Sequence, residues 1–268
     1  MKLLRKAAIA ILGLIFTACL FANFLAPAPY GKQFREHPNS PPSRQFLLGT
    51  DDLGRDRFSR LLYGSRVSLL LAPAAALLSI LIAATIGGLG GYLGGWYEKS
   101  ASGLIDLVLS LPWIFLLLTL RAILPLNVSP VFSVVLTFTL LGVLGWAPAA
   151  RVVSAGARSL RDSDMCLQAL ASGASRRRTL VVHILPNLRP ILMAQFWVTV
   201  PLFILAEANL GILGLGVSEP LPSWGNMMRE LGNYAAIQGS PWIFAPVALL
   251  LLVVVCFQLV LAREEVPA

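Results

Sequence analysis

The chain has 268 residues, of which 57% are hydrophobic and 13% charged, and its mean hydropathy is +0.76. A soluble domain carries about one charged residue in four, so the composition excludes an ordinary soluble enzyme or binding module. The net charge of +8 invites nucleic-acid binding, but no aromatic–basic motif of the RNA-binding kind occurs, and excess Lys and Arg on a membrane protein set topology and meet anionic headgroups.

Six mostly apolar runs follow, at about 7–26, 67–90, 107–126, 129–150, 190–213 and 241–262. Each reaches the ~20 residues a helix needs to cross a bilayer. Lipid offers the backbone no hydrogen-bond partners, so these runs are helices. The predicted fold is all-α: an integral membrane protein with one transmembrane domain over 1–268, a first helix at about 7–26, and core helices bundled within 67–262. Lys2, Arg5 and Lys6 precede the first run. That pattern fits a signal peptide or an uncleaved first helix, and the spans downstream favour the helix. Its positive flank puts the N-terminus in the cytoplasm, and six crossings return the C-terminus there.

Between the first two runs lies LLGTDDLGRDRFSRLLYGSRVSL, Leu47 to Leu69. Gly49 and Gly54 suit turns, and Thr50 and Asp51 can cap the helix that follows. Phe58, Leu61, Leu62 and Val67 recur near helical spacing, with Arg57, Arg60 and Arg66 interleaved. This predicts an amphipathic outer segment at about 47–66 that lies along the outer interface and leads into the second span; an interfacial helix with snorkelling arginines is the plainer alternative. Residues 32–66 carry seven Lys and Arg yet fall outside, against the positive-inside rule; Glu36, Asp51, Asp52 and Asp56 offset part of that charge. Gly87, Gly88, Gly90, Gly91, Gly94 and Gly95 then permit close helix approach, and Trp96 and Tyr97 mark a membrane surface. Asp106, on a short amphipathic piece ending at Pro112, suits either a partner contact or plain solvation. Arg121, near the outer end of the third run, is placed to snorkel.

The most informative stretch is MCLQALASGASRRRTLVVHILPN, Met165 to Asn187, within a polar loop at about 160–187. Ala169, Ala171, Gly173 and Ala174 leave a short helix with little side-chain cover, and Gly173 permits a sharp turn. Arg176, Arg177 and Arg178 follow, and Pro186 sits where a new helix can begin. A small-faced helix, a turn and a second helix form a knob suited to docking a soluble partner. The basic residues also fit a plain juxtamembrane loop on the cytoplasmic side. Residues 151–189 carry seven arginines against Asp162 and Asp164, which agrees with that side.

The spacing in this loop resembles the coupling loop of ABC-importer permeases, which reads Glu-Ala-Ala, then Gly six residues after the Glu, then Leu-Pro. Here Gly173 and Leu185-Pro186 match, while Leu167 and Gln168 occupy the Glu and first Ala positions. Leu47 to Leu69 resembles the LGTDxxGRDxxSRLxYGxRxSL signature of C-type subunits in dipeptide, oligopeptide and nickel importers. LGILGLGVSEPLPSWGNMM, Leu210 to Met228, resembles their LGLGxxPPxPSWGxM segment. In it Gly211, Gly214 and Gly216 unwind a helix end, and Trp224 suits an interface. The polar tail usual in that family is absent; the sequence here ends LVLAREEVPA.

The resemblance implies a permease subunit of an ATP-driven importer in a bacterial or archaeal cytoplasmic membrane. The implied solutes are peptides or related small molecules, with nickel included. Expected partners are a second permease, two ATPase subunits, an extracytoplasmic binding protein and membrane lipid. Leu167, Gln168, Ala169, Ala171, Gly173, Ala174, Leu185 and Pro186 are the expected ATPase-docking positions. Glu207, near the outer end of the fifth run, either lines the translocation path or pairs near the interface with Arg66 or the opposing subunit. The alternative is an ion-coupled secondary transporter, which ordinarily shows several intramembrane ionisable groups and internal repeats; Glu207 stands nearly alone, with no obvious repeat. No HExxH, GxSxG, Ser-x-x-Lys or phosphate-loop sequence occurs, and Cys19, Cys166 and Cys256 show no paired spacing. The expectation is a transport subunit without catalytic, cofactor or metal site, whose ATP is bound by its partners.

Overall fold

The computed structural model describes residues 2–125, 128–233, 237 and 240–262. Among these it is all-α, apart from isolated bridges between Gln33 and Arg55 and between Thr50 and Asp56. Five helices are long and apolar enough to cross a membrane: Lys2–Leu20, Arg57–Leu93, Pro130–Arg161, Arg176–Ile212 and Pro241–Leu261. The bent pair Gly95–Ser110 and Trp113–Ile123 makes a sixth if counted as one span. Of the C-terminal stretch LVLAREEVPA, residues 263–268 lie outside the described residues.

Three helix boundaries differ from expectation, each for a backbone reason. Helix α1 is Lys2–Leu20, and α2 (Arg57–Ala83) then begins well before the apolar run at 67–90. Of the segment expected at 47–66, the part from Arg57 onward is the first turns of that same helix, and residues 47–56 are the turns ahead of it. The helix continues through a π turn at Ala84–Gly88 and through Leu89–Leu93, and stops at Gly94, whose φ of +71° suits glycine. The third run is not straight. Leu111 is extended ahead of Pro112, whose ring disfavours helical backbone in the preceding residue. Helices α3 (Gly95–Ser110) and α4 (Trp113–Ile123) therefore meet at a 74° bend. In the next span α5 (Pro130–Leu144) leads into α6 (Ala147–Arg161), which has Pro148 in its first turn.

The third difference concerns Pro186, which does not start a helix. The polar loop's first helix is α7 (Asp164–Ala171), and the next helix starts at Arg176, capped by Ser175, whose Oγ accepts from the Arg178 amide at 3.3 Å. It runs through a π turn at Leu180–Ile184 into α8 (Leu185–Ile212). Pro186 has no N–H to give the carbonyl one turn back, and the π turn beside it is where the hydrogen-bond ladder absorbs that loss. The last helix is α9 (Ala245–Leu261).

The chain divides into two compact units, one of residues 1–73, 121–138 and 201–268, the other of 74–120 and 139–200. In the second unit the glycine run packs on α6. A Cβ on Gly87 would collide with the Ala150 carbonyl, and one on Gly91 would collide with that of Ser154. Glycines four residues apart thus let two backbones touch, as small residues do in membrane helix pairs. Ile80, Ala83, Ile105, Trp146, Ala147, Ala149 and Ala150 form the core beside them. In the first unit α1 packs against α9. The Arg66 guanidinium closes the end of α1, donating to the carbonyls of Cys19 at 3.2 Å and Leu20 at 2.8 Å and to Asn23 Oδ1 at 3.1 Å. A cation here satisfies carbonyls that the last helical turn leaves open.

Candidate functional site

Two places stand out, an exposed knob in the second unit and a buried charge cluster in the first. The knob is α7, the turn Ser172–Ser175 and the helical start at Arg176. Gly173 has φ +84°, its amide donates to Leu170 O at 3.0 Å, and the Ala174 amide donates to Ala169 O at 3.0 Å. This pair of bonds is the Schellman C-cap, which a glycine in left-handed conformation completes. A Cβ built on Gly173 meets nothing within 4 Å, so the turn faces open space. Leu167, Gln168, Ala171, Gly173, Leu185 and Pro186 are exposed, while Ala169 and Ala174 are half-buried.

The knob's inner face is tied down. Cys166 and Ile184 pack with Tyr92 among Leu160, Met165 and Leu180. The Tyr92 hydroxyl donates to Arg176 O at 2.7 Å. Arg161 Nη1 donates to Gly91 O at 3.0 Å and pairs with Glu98 at 3.0 Å, and Arg158 Nη2 reaches Glu98 at 2.6 Å. Tyr92 and Glu98 were not singled out from the sequence. The surplus of arginines over acids in 151–189 is the signal that an acid elsewhere must serve them. Asp106 pairs with Arg151, both exposed, which adds a third possibility to the two expected for it.

The charge cluster is built from Leu47 to Leu69 and the segment after α8. Asp51 is fully buried; its Oδ1 accepts the amides of Leu53 at 3.0 Å and Arg55 at 2.8 Å, which makes the turn before α2. Its Oδ2 takes Arg55 Nε at 2.6 Å and faces Arg60 Nε at 3.7 Å. Glu219 closes the other side, with Oε2 on Arg55 Nη1 at 2.7 Å and Oε1 on Arg60 Nη2 at 2.8 Å. Arg57 pairs with Glu230 and donates to Thr50 O at 2.9 Å. The helix cap is Asp56 rather than Thr50 or Asp51: its Oδ2 accepts the Ser59 amide at 2.8 Å and the Ser59 hydroxyl at 2.5 Å. Burial works against the Arg55 charge, but Asp51 and Glu219 hold its pKa above the ordinary arginine value. Arg57 and Arg60 therefore do not snorkel. They are buried because three acids, two of them far along the chain, neutralise them.

Beneath this cluster Glu207 is fully buried, and its Oε2 accepts from Ser68 Oγ at 3.0 Å. Arg66 is occupied at the end of α1 and is not its partner. Trp224 is also fully buried instead of lying at an interface; its Nε1 donates to Ser65 Oγ at 3.0 Å and its amide to Ser68 Oγ at 3.2 Å. Gly211 abuts the Gly225 backbone too closely for any side chain. Helix α8 ends at Ile212, and Gly214, at φ +75°, supplies the cap through Leu215 N to Leu210 O at 2.8 Å. Arg121 likewise does not snorkel. It is fully buried, and Nη2 donates to Ser133 Oγ at 3.0 Å and Gly216 O at 3.2 Å.

Residues 75–263 match the family described as "Binding-protein-dependent transport system inner membrane component". The chain is 31% identical over 258 residues to the oligopeptide transport system permease protein OppC of Bacillus subtilis (strain 168), covering 96% of this chain and 82% of that protein. It is 33% identical over 244 residues to the dipeptide transport system permease protein DppC of the same organism, covering 91% and 74%. A putative peptide permease protein of Brucella suis biovar 1 (strain 1330) is 35% identical over 238 residues, covering 87% and 77%.

Proposed function

Because the chain belongs to the family of binding-protein-dependent transport system inner membrane components and is a multi-pass permease subunit of an ABC importer, we propose that it imports peptides and takes its driving force through the Gly173 knob. The substrate class rests on the peptide permeases it is similar to. The family match sets the ion-coupled alternative aside. A second homologous permease completes the path, two ATPases dock from the cytoplasm, and a binding protein delivers solute from outside. The chain has no phosphate-loop sequence, so ATP belongs to the partners. Both termini lie in the cytoplasm with the knob, and the Leu47 to Leu69 segment lies outside.

The observation that carries this proposal is the knob's junction with a spanning helix. Its second half is the start of one helix from Arg176 to Ile212, 37 residues long. At 1.5 Å per residue that is about 55 Å, against about 30 Å for the hydrocarbon of a bilayer. The surplus projects from the membrane as a lever. ATP closes the ATPase pair, the pair moves the knob, and the lever tilts the span between inward- and outward-facing states. Leu167, where the family carries Glu, is exposed, as is Leu170. Seating is therefore by shape, without the family's ion pair.

Gly173→Trp tests this. The site is open, so the cost to folding is confined to a left-handed residue, about 1–3 kcal/mol, and the permease should still be made and inserted. The indole fills the face on which the ATPase seats. The expected result is loss of ATPase co-purification and of uptake; a variant complex that assembles and transports like the parent refutes the docking assignment.

A further inference from the structure

A cavity of about 430 Å³ opens in the first unit at the end of α8, lined among others by Arg121, Gly214, Gly216, Ser218, Glu219 and Arg229. Arg121 is fully buried, yet its Nε has no hydrogen-bond partner, and among the described residues no carboxylate pairs with it. Its other bonds go to neutral oxygens, Ser133 Oγ, Gly216 O and, at 3.5 Å, Pro125 O. A guanidinium removed from water without a counter-charge is costly. Glu219 is the acid on the cavity wall, but both of its oxygens are committed, to Arg55 at 2.7 Å and Arg60 at 2.8 Å. Arg229 lies over Gly214, where a Cβ would sit 3.2 Å from its guanidinium carbon, and it forms no ion pair among the described residues. The wall thus presents the exposed Arg229 guanidinium to the space, with the uncompensated Arg121 charge sealed behind it, and no free anion of its own.

We propose that this cavity is a carboxylate-binding subsite on the path of the transported solute, with the exposed Arg229 guanidinium as the contacting group and Arg121 as a buried positive charge behind the wall. This rests on the peptide assignment above, and the anion it commits to is a peptide's C-terminal carboxylate. The volume favours a solute over a partner's acidic side chain. It falls within the 300–1,000 Å³ typical of small-molecule sites, and one carboxylate side chain fills only a fraction of it. Planar guanidiniums suit carboxylates through paired N–H donors. The bare Gly214 and Gly216 backbone leaves room for the rest of a peptide to lie alongside. The site holds its anion transiently: Arg229 exchanges with water, so release breaks no buried bond.

The test is the concentration dependence of uptake by the complete reconstituted importer, with one peptide as free acid and as C-terminal amide. The variants are Arg229→Gln and Arg121→Gln; comparing variant to parent for each peptide cancels any preference of the binding protein. The expected result is a KM for the free acid raised on the order of tenfold, with the amide changed little. Arg229 is exposed, so its variant carries the test even if Arg121→Gln fails to assemble. If both peptides respond alike to Arg229→Gln, whether unchanged or equally impaired through weaker partner binding, the subsite is refuted while the peptide assignment stands. If the assembled parent takes up neither peptide, the peptide assignment falls and this proposal falls with it.

Discussion

Asp51→Asn is the sharpest test of the charge cluster, because the substitution is nearly isosteric and its effects separate cleanly. The Oδ1 bonds to the Leu53 and Arg55 amides survive in the amide side chain, so the turn before α2 is kept. What changes is the Oδ2 position, which now presents N–H groups to Arg55 Nε at 2.6 Å and to Arg60 Nε at 3.7 Å. Two buried guanidiniums are left with Glu219 as their remaining acid. Removing one member of a buried pair costs about 3–5 kcal/mol. Glu219→Gln acts on the same two arginines, but the Glu219 side chain is 50% exposed against 1% for Asp51. Water compensates part of that loss, and the cost should fall to about 1–2 kcal/mol, between the surface and buried limits. The assay is thermal inactivation of the purified complex, parent against each variant and against Asp51→Asn with Arg55→Met, which removes one of the stranded charges. The expected order is Asp51→Asn worst, the double variant partly recovered, and Glu219→Gln mildest. If Glu219→Gln proves as damaging as Asp51→Asn, burial does not set the energetics of this cluster and the reasoning fails.

Gly91→Leu should disrupt the second unit, since its Cβ already collides with the Ser154 carbonyl; overpacking costs about 1–3 kcal/mol or more, seen as a lower melting temperature and poorer recovery from detergent, and an unchanged melt would contradict the packing. Burial pushes the Glu230 carboxyl above its ordinary pKa, against the pull of Arg57. The fold therefore holds that proton longer than the unfolded chain does, and this group's contribution to stability declines as pH rises above the ordinary glutamate range. Glu230→Gln should flatten that part of the pH–stability curve, and a difference curve between parent and variant with no slope there would refute it. Leu167→Glu, which restores the family's acid at an exposed position, should leave folding and ATPase co-purification intact; loss of co-purification would contradict seating by shape.

The spans were legible because lipid imposes one pattern, a long apolar run, and five of the runs fall on helices long enough to cross a membrane, the third on a bent pair. What hydropathy misses is backbone detail. Pro112 reads as the end of a short amphipathic piece, but only three dimensions show the 74° bend beside it. Pro186 looks like a helix start, yet a π turn lets the helix begin at Arg176. The knob was readable because Gly173 does a local job, completing a cap within a few residues. The charge cluster was not, because its pairs are remote: Arg55 and Glu219 stand 164 positions apart. Arginines at helical spacing beside apolar residues suggest snorkelling when seen alone. Burial becomes affordable only with Asp51, Glu219 and Glu230 in place. Trp224 and Arg121 misled for the same reason, since a Trp or Arg near a span end is usually interfacial and here each finds buried oxygen acceptors.

The measurement that bears most directly on the central claim is photo-crosslinking in the assembled importer, with a crosslinkable residue placed at Gln168 on the knob or at Asp52 beside the charge cluster, both exposed. Gln168 should capture an ATPase subunit, with a yield that changes between nucleotide-free and ATP-bound states. Asp52 should capture none, and a cysteine there should react with an impermeant thiol reagent in intact cells lacking the native cysteines. Capture of the ATPase from Asp52 but not from Gln168 would reverse the orientation and contradict docking through the Gly173 knob.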